Sequence, residues 1–232
     1  MSSEERVKTG VPGMDKILDG GFPESSSILL IGPPGVGKST FCEQFIFEGF
    51  KTKQPGLFVT LDESPKDILK TMNGFGWGMG ALKNKLEFID GYSWRVGGAS
   101  GDHVISNLGN VNELNIAITE IIAKLKGSSI KRKVFDSVST LLIYADPSLV
   151  VKMIPVIVAK SRQAGYVQLL ILEEGVHDPK TVTTLNAVTD GLIEFKMEDD
   201  KRYLRVARMK ATSHSRDWVP FEVTNKGLVI KK

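Results

Sequence analysis

The segment GPPGVGKS, residues 32 to 39, matches the phosphate-binding pattern G-x-x-x-x-G-K-[ST] in full. Its glycines let the backbone turn tightly and direct N–H groups at phosphate oxygens, and the following helix N-terminus adds a favourable potential. In this pattern Lys38 reaches the β- and γ-phosphates and the Ser39 hydroxyl binds Mg²⁺. The motif therefore predicts a nucleoside triphosphate site, and we expect ATP with Mg²⁺.

The residues expected to bind the nucleotide are consecutive in the chain. They are Gly32, Pro33, Pro34, Gly35, Val36, Gly37, Lys38, Ser39 and Thr40.

Acidic residues close two of the predicted strands. Asp136 ends KVFD, where a P-loop NTPase holds the aspartate that organises its metal; a helix-capping or turn aspartate is the alternative. Asp62 and Glu63 follow LFVTL, and a carboxylate at that strand end can polarise a water molecule. Taken alone, a pair of carboxylates in a turn is more often structural, so both interpretations of Asp62 and Glu63 stay open.

Apolar runs typical of strands alternate with helical periodicity, which predicts an α/β fold with a mostly parallel sheet. A strand over 26–32 and a helix over 39–50 flank the phosphate motif, as the motif requires. Ser64, Pro65 and Asp67 have the types and spacing of a helix start. Residues 92 to 112 lack periodicity and predict a long loop.

The last quarter of the chain has a different predicted secondary structure. From about residue 190 three strands with short turns follow one another, which predicts C-terminal antiparallel strands. With no internal repeat and no linker, we expect residues 1–232 to form a single domain.

Composition excludes several classes of protein. One cysteine, Cys42, rules out a disulfide within the chain, and three widely spaced histidines argue against zinc. The N-terminus is charged, and the longest apolar runs fall well short of a membrane span, so we expect a cytoplasmic protein without a membrane partner.

The formal net charge of +3 is mild. The basic clusters KNK (83–85) and KRK (131–133) are short and alternate with acidic segments, so we expect a solvated surface of mixed charge. A nucleic-acid interface would normally be a denser basic stripe. Nucleic acid is accordingly disfavoured as a partner, although charge alone leaves it open.

Over nearly its whole length, apart from 92–112, the sequence resembles the single-domain KaiC-like ATPases of the RecA superfamily. The resemblance rests on residues 7–40, VKTGVPGMDKILDGGFPESSSILLIGPPGVGKST, and continues through GLFVTLDES, VFDSVSTLL, VTDGLIEF and the C-terminal strands. It implies that Asp136 organises the metal shell. It also implies a catalytic Glu-Glu pair, which here is Asp62-Glu63, and the shorter first side chain shifts the general-base role towards Glu63.

In the family the late strand reads Lys-x-Arg-Gly-[ST]-x-His and faces the nucleotide of the neighbouring subunit in a ring. Here Arg208 and Lys210 exchange the two cations, and Ala211 replaces the glycine. The resemblance implies that both cations act on the neighbour's γ-phosphate, although Arg and Lys are not equivalent donors. Two solvated strand cations are the alternative.

The family also places Thr-Ser-Glu at a strand end near the γ-phosphate. The aligned residues here are Ile171, Leu172 and Glu173, so both hydroxyl groups are missing. We therefore expect slow hydrolysis. For Glu173 and Glu174 we expect a solvated strand end, and the alternative is that they take over a polar role in place of the missing hydroxyls.

The resulting hypothesis is a regulatory or signalling ATPase that binds Mg·ATP, assembles as a homohexameric ring with shared sites, and acts on an unidentified protein partner. Two alternatives stay open. One is a scaffold that binds ATP without hydrolysing it. The other is a DNA-binding accessory factor similar to recombinase paralogues.

Overall fold

The computed structural model describes residues 5–78, 86–97, 103–125 and 131–231. The strands are β1 (Arg6–Val7), β2 (Phe22–Pro23), β3 (Ser27–Gly32), β4 (Gly56–Thr60), β5 (Leu86–Asp90), β6 (Lys131–Asp136), β7 (Tyr166–Glu173), β8 (Gly191–Glu198), β9 (Lys201–Met209), β10 (Val219–Thr224) and β11 (Gly227–Ile230). The helices are α1 (Met14–Ile17), α2 (Lys38–Lys51), α3 (Pro65–Gly74), α4 (Val111–Lys124), α5 (Val138–Tyr144), α6 (Pro147–Gln163) and α7 (Pro179–Val188).

Nine of the strands form one sheet in the order β11-β10-β9-β8-β3-β7-β6-β4-β5. The six strands from β8 to β5 in this order are parallel, and β9, β10 and β11 extend the sheet in antiparallel fashion. The prediction of an α/β fold with a mostly parallel sheet and C-terminal antiparallel strands is thus confirmed. Parallel order brings the carboxyl ends of β3, β7, β6 and β4 to one edge of the sheet.

Each face of the sheet packs against its own hydrophobic core. On β6, Val134 belongs to the core beneath α2, together with Phe41 of that helix. The next residue, Phe135, belongs to the opposite core with Leu114 of α4 and Ile154 of α6. Each of these side chains is fully buried, which stabilises the fold by roughly 1.5–3 kcal/mol apiece. The central strands are therefore held rigidly between two helical layers, and the carboxyl edge is fixed with them.

The start of α3 confirms the prediction made for Ser64, Pro65 and Asp67. The Ser64 side chain accepts a hydrogen bond from the backbone N–H of Asp67 (3.1 Å), and Pro65 is the first helical residue. The expected loop over 92–112 contains a short 3-10 turn at Ser93–Val96, and it ends where α4 begins at Val111. Within that loop, residues 98–102 lie outside the described part of the chain.

Three helices, the short α1 and the longer α5 and α7, were not predicted from the sequence. The strand β6 ends at Asp136, and Ser137 caps α5 by accepting from the Thr140 N–H (3.1 Å). Asp178 caps α7 in the same way through Thr181 N–H (3.0 Å). The β-branched residues that follow each cap hid α5 and α7, whereas the capping side chains were the usable signal.

The basic cluster at 131–133 is not on a solvated surface, and this part of the charge prediction is wrong. Lys131, Arg132 and Lys133 are buried, because they begin a strand in the interior of the sheet that helices cover on both faces. Arg132 donates to the Gln54 side chain (2.7 Å) and to the Phe45 carbonyl (2.9 Å). The KNK cluster lies outside the described residues.

Lys133 has no exposed surface, and the hydrogen bond found for its ammonium within the described residues goes to Ser161 Oγ (2.8 Å). Burial lowers the pKa of Lys133 from 10.5 to about 7. Below pH 7 the folded chain keeps this buried charge, with no counter-ion found among the described residues, and the full desolvation cost of the ammonium group destabilises the fold. As the pH rises from 7 towards 10.5 the folded state sheds the proton before the unfolded state does, and the cost fades.

We therefore expect Lys133→Met to raise the free energy of unfolding by roughly 2–4 kcal/mol at pH 7, with a smaller gain at pH 9.5. Urea unfolding at both pH values measures this difference. The exposed lysine Lys226, changed to methionine, is the matched control and should give no such pH-dependent gain. A Lys133→Met protein that is less stable than the wild type at pH 7 would contradict the expectation.

Within the described residues, no helix combines the length and apolar character needed to cross a bilayer.

Candidate functional site

The phosphate-binding loop joins the end of β3 to the start of α2 at the carboxyl edge of the sheet. Gly35 (φ 73°) and Gly37 (φ 117°) adopt left-handed conformations that favour glycine. A Cβ atom on Gly35 would meet no atom within 4 Å, so the loop surrounds open space. The loop has the shape of a cradle that a phosphate group can fill.

Lys38 is almost fully buried, and its ammonium group forms hydrogen bonds inside the phosphate loop. Its Nζ donates to the carbonyls of Gly32 and Pro33 (both 2.7 Å) and to Glu173 Oε2 (2.9 Å). A cavity of about 180 Å³ lies beside it, lined by Gly35, Gly37, Lys38, Ser39, Thr40 and Glu173. The ammonium group of Lys38 therefore faces the cavity in which an anionic phosphate would bind.

Glu173 is not at a solvated strand end, and this expectation is wrong. In the sheet β7 lies between β3 and β6, and the register sets Glu173 beside Gly32. The carboxylate consequently points at Lys38 and forms an ion pair with it, with only 26% of the side chain exposed. The strand order creates this contact, and the linear sequence does not reveal that order.

Ile171 and Leu172 are buried in opposite cores, as apolar side chains there should be. The structure nevertheless brings another hydroxyl to this strand end. Ser139 Oγ accepts a hydrogen bond from the Glu173 N–H (2.7 Å) and lies 2.8 Å from His177 Nε2. Burial lowers the pKa of His177 below its usual 6.5. Ser139 and His177 thus fix the backbone that presents Glu173 to the loop.

A second cavity of about 180 Å³ adjoins the loop on the side of β6 and β4. Its lining is Pro34, Gly35, Ser39, Glu43, Thr60, Asp62, Glu63, Ile68, Asp136 and Glu173. The register aligns Thr60 with Asp136, so the ends of both strands open into it. Five carboxyl groups share this cavity.

Asp136 lies next to the hydroxyl group of Ser39. These are the two residues predicted to hold Mg²⁺. Removal from water raises the pKa of the Asp136 carboxyl to about 7, against a hydrogen bond from Ser39 that lowers it. The nearby carboxylates Asp62, Glu63 and Glu173 raise it further. A cation placed here would relieve this repulsion.

The two residues of the predicted catalytic pair have different surroundings. Asp62 Oδ1 accepts a hydrogen bond from the Thr140 hydroxyl on α5, so this carboxylate is tied in place. The Glu63 carbonyl accepts from Thr60 Oγ1 (2.6 Å), whereas no hydrogen bond to its carboxylate is found among the described residues. Among the described residues, Glu63 is thus the member of the pair whose carboxylate has no hydrogen-bond partner. The role of Thr140 was not foreseen, because its helix was not predicted.

Glu43 on α2 was also missed. It follows Ser39 by one helical turn and so faces the second cavity, although its position in the helix suggested no function. Only 3% of the residue is exposed, and its Oε2 has no hydrogen-bond partner within the described residues. Burial, with the charges of Glu63 and Asp136, raises its pKa to about 8.

The donor set around the second cavity suits a hard divalent cation. Hydroxyl and carboxylate oxygens are the ligands that Mg²⁺ prefers, and Ser39 and Asp136 supply one of each. No preassembled group of three or more acidic, cysteine or histidine ligands is found in the described part of the chain. Because Mg²⁺ usually retains waters and binds substrate phosphates, one or two protein ligands beside a phosphate cradle are sufficient.

Arg208 and Lys210 lie at the opposite edge of the sheet. Lys210 N–H donates to the Asp190 carbonyl (2.9 Å), and Asp190 N–H donates to the Ser27 carbonyl (2.7 Å), which places these residues level with the start of β3. The loop begins five residues later at Gly32, roughly 16 Å along the strand. Neither cation lies at the nucleotide site of its own chain.

Both cations contact the residues that follow α7, and Arg208 also contacts the last turn of that helix. Arg208 donates to the carbonyls of Thr189 (2.9 Å) and Asn186 (2.7 Å), and to Asn186 Oδ1 (2.8 Å). Lys210 pairs with Asp190 (3.0 Å) and stays more than half exposed. The guanidinium is therefore oriented by its own chain, and the ammonium remains accessible at the surface.

Ala211, where the family pattern has glycine, keeps a left-handed conformation (φ 51°). This conformation costs an alanine about 1 kcal/mol. Arg6 donates to the Ala211 carbonyl (2.5 Å) and to Thr212 Oγ1 (2.7 Å), which holds the turn. The backbone after the two cations thus retains the conformation typical of glycine despite the substitution.

Comparisons with known proteins agree with this arrangement. The chain is 34% identical to a UPF0273 protein of Thermotoga maritima, over 97% of this chain and 96% of the relative. It is 32% identical to a UPF0273 protein of Pyrococcus furiosus, over 97% and 93%. The crystal structure of a KaiC-like protein from the archaeon Pyrococcus horikoshii superposes with a TM-score of 0.82 at 26% identity, covering 99% of this chain and 100% of that one. The family model for the KaiC ATPase matches residues 7–232, and the chain belongs to this family of P-loop ATPases within the RecA superfamily.

Proposed function

We propose that the protein is a single-domain regulatory ATPase of the cytoplasm that binds Mg·ATP, hydrolyses it slowly and works as a ring of identical subunits. The observation that supports this best is the convergence of Lys38, Asp136 and Glu63 at one edge of the sheet. Three separate strand ends bring them to adjoining cavities beside the phosphate loop.

In this proposal the residues have distinct tasks. The backbone N–H groups of residues 35 to 40 and the Lys38 ammonium bind the phosphates. Ser39 and Asp136 would hold Mg²⁺, which neutralises phosphate charge when it is bound. Glu63 accepts the proton of the attacking water, because its carboxylate is free while that of Asp62 is engaged by Thr140.

Slow turnover is supported by the end of β7. Ile171 and Leu172 offer no hydroxyl to the γ-phosphate side, and a buried apolar side chain cannot orient a water molecule. Glu173 also competes with phosphate for Lys38 and must be displaced from it as nucleotide binds. The missing hydroxyl groups lower the rate of hydrolysis, and the competition for Lys38 weakens nucleotide binding without removing the site.

The proposal of a ring, with six subunits, rests on Arg208 and Lys210. Cations roughly 16 Å from the start of their own phosphate loop cannot stabilise charge there, but a head-to-tail ring would bring them to the neighbour's site. We propose that the accessible ammonium of Lys210 and the oriented guanidinium of Arg208 act on the nucleotide of the next subunit, and that the ring regulates a protein partner.

A scaffold that binds ATP without hydrolysing it is the second candidate function. The apolar pair Ile171 and Leu172 supports it, since missing hydroxyl groups near the γ-phosphate weaken hydrolysis more than binding. A DNA-binding accessory factor loses support, because the basic residues 131–133 are buried.

One experiment separates these functions. We expect light scattering to show a rise in molar mass when Mg·ATP is added, and phosphate release from the same samples to be slow but above the protein-free background. Bound ATP with phosphate release at background would select the scaffold. A chain that binds no ATP by calorimetry would exclude both functions.

A further inference from the structure

Glu43 has an environment that neither folding nor the proposed mechanism explains. Its carboxyl group is buried between α2 and the carboxyl edge of the sheet, with Oε2 unpartnered among the described residues. The charged side chains that act on it are Glu63 and Asp136, both of the same sign. A buried polar group without a partner costs about 1–3 kcal/mol, so an apolar residue of similar size would stabilise the fold.

The direction of the side chain suggests what offsets this cost. Glu43 lines the second cavity together with Ser39, Asp136 and Glu63. These are the residues proposed to hold the cation and to accept the proton. A cavity of about 180 Å³ with polar walls on several sides has room for ordered water, which would satisfy the orphaned oxygen.

We propose that Glu43 is a positioning residue of the hydrolytic site: it binds water in this cavity jointly with Glu63 and Asp136, and thereby fixes the orientation of both carboxyl groups when Mg·ATP is bound. The inference rests on the proposed function and adds a residue to it. Glu43 touches neither nucleotide nor the reacting water, and acts through its two neighbours.

This role differs from a structural one in what it predicts. Groups that orient metal ligands typically contribute 10–100-fold to metal affinity or activity when they are removed. Glu43→Met preserves the length and apolar part of the side chain but cannot hold water. Glu43→Gln keeps the shape, yet its amide nitrogen cannot accept a hydrogen bond.

Calorimetric titration of ATP at increasing Mg²⁺ concentrations, together with phosphate release under saturating Mg·ATP, tests the proposal. We expect Glu43→Met to need about tenfold more Mg²⁺ for half-maximal enhancement of ATP binding and to lower kcat about tenfold or more, with KM changed less than about twofold. Glu43→Gln should have smaller effects in the same direction. Glu48→Gln, on the same helix but outside the cavity, is the matched control and should match the wild type.

Thermal unfolding of each variant verifies the fold. If both Glu43 variants fold and keep the wild-type Mg²⁺ dependence and kcat, Glu43 is only a tolerated buried acid and the inference is wrong. That result would leave the proposed function intact, because the wild type would still bind and hydrolyse ATP. A wild type that binds no ATP would instead overturn the proposed function and this inference with it.

Discussion

Replacing Lys38 with alanine is expected to abolish ATP binding, with a loss of affinity of at least 100-fold. The ammonium group is fixed inside the phosphate loop by the carbonyls of Gly32 and Pro33, so it faces the incoming phosphates once Glu173 is displaced from it. Charge-assisted hydrogen bonds of this kind contribute about 1.5–3 kcal/mol each, and two or more are lost together. Isothermal calorimetry with Mg·ATP measures the effect.

The substitution also leaves Glu173 without its cation, in a region that already holds several carboxyl groups. Repulsion between that charge and the phosphates should add to the loss. The double variant Lys38→Ala, Glu173→Gln should therefore bind slightly better than Lys38→Ala alone. Lys51→Ala, at the far end of the same helix, is the control and should bind as the wild type does. Undiminished affinity in Lys38→Ala would exclude this loop as the nucleotide site.

The phosphate loop could be predicted from the sequence because its residues are close together in the chain. The loop, the strand before it and the helix after it are contiguous, so residue types alone predict their geometry. Asp136 and Glu63 were also within reach of sequence reasoning, because Asp136 ends β6, Glu63 follows the end of β4, and parallel strands end at one edge. The residues around Ser64 were predicted for the same reason, since a helix cap is a local hydrogen bond.

Contacts set by strand order were out of reach. Glu173 meets Lys38 because β7 lies between β3 and β6, although the two residues are 135 positions apart in the chain. Residues 131–133 are buried because two helical layers cover β6, so the prediction that this basic cluster lies on the surface was wrong. Predicting that Glu43 lies in the second cavity would have required both the orientation of α2 about its axis and the positions of the neighbouring strand ends. Each of these depends on tertiary packing that a linear pattern does not encode.

Mixing two inactive variants is expected to restore ATP turnover if Arg208 acts on the neighbour's nucleotide. An Arg208→Ala ring has intact Glu63 but no arginine at any site, and a Glu63→Gln ring has the arginine but no general base. In a mixed ring, an Arg208→Ala subunit that receives the arginine of a Glu63→Gln neighbour has a complete site. At equal amounts about a quarter of the interfaces are of this kind, for a head-to-tail ring with random order.

The expected contrast is large, because an arginine supplied to a phosphoryl-transfer site contributes about 10³–10⁵ in rate. Even a small fraction of complete sites would therefore exceed the activity of either parent. Since Arg208 is bound to Asn186 and Thr189, its loss also frees the end of α7, and thermal unfolding must verify that Arg208→Ala still folds. Phosphate release is then measured across mixing ratios, with assembly monitored by light scattering.

The decisive control is a subunit that carries both changes. Arg208→Ala mixed with the double variant Arg208→Ala, Glu63→Gln contains no arginine to donate, so it should recover nothing at any ratio. Recovery in that mixture would mean that the restored turnover does not depend on an arginine donated by the neighbour. If the first mixture also stays inactive while light scattering detects mixed rings, Arg208 does not act across the interface. The bonds to Asn186 and Thr189 would then define its role, as a clamp on α7 within its own chain.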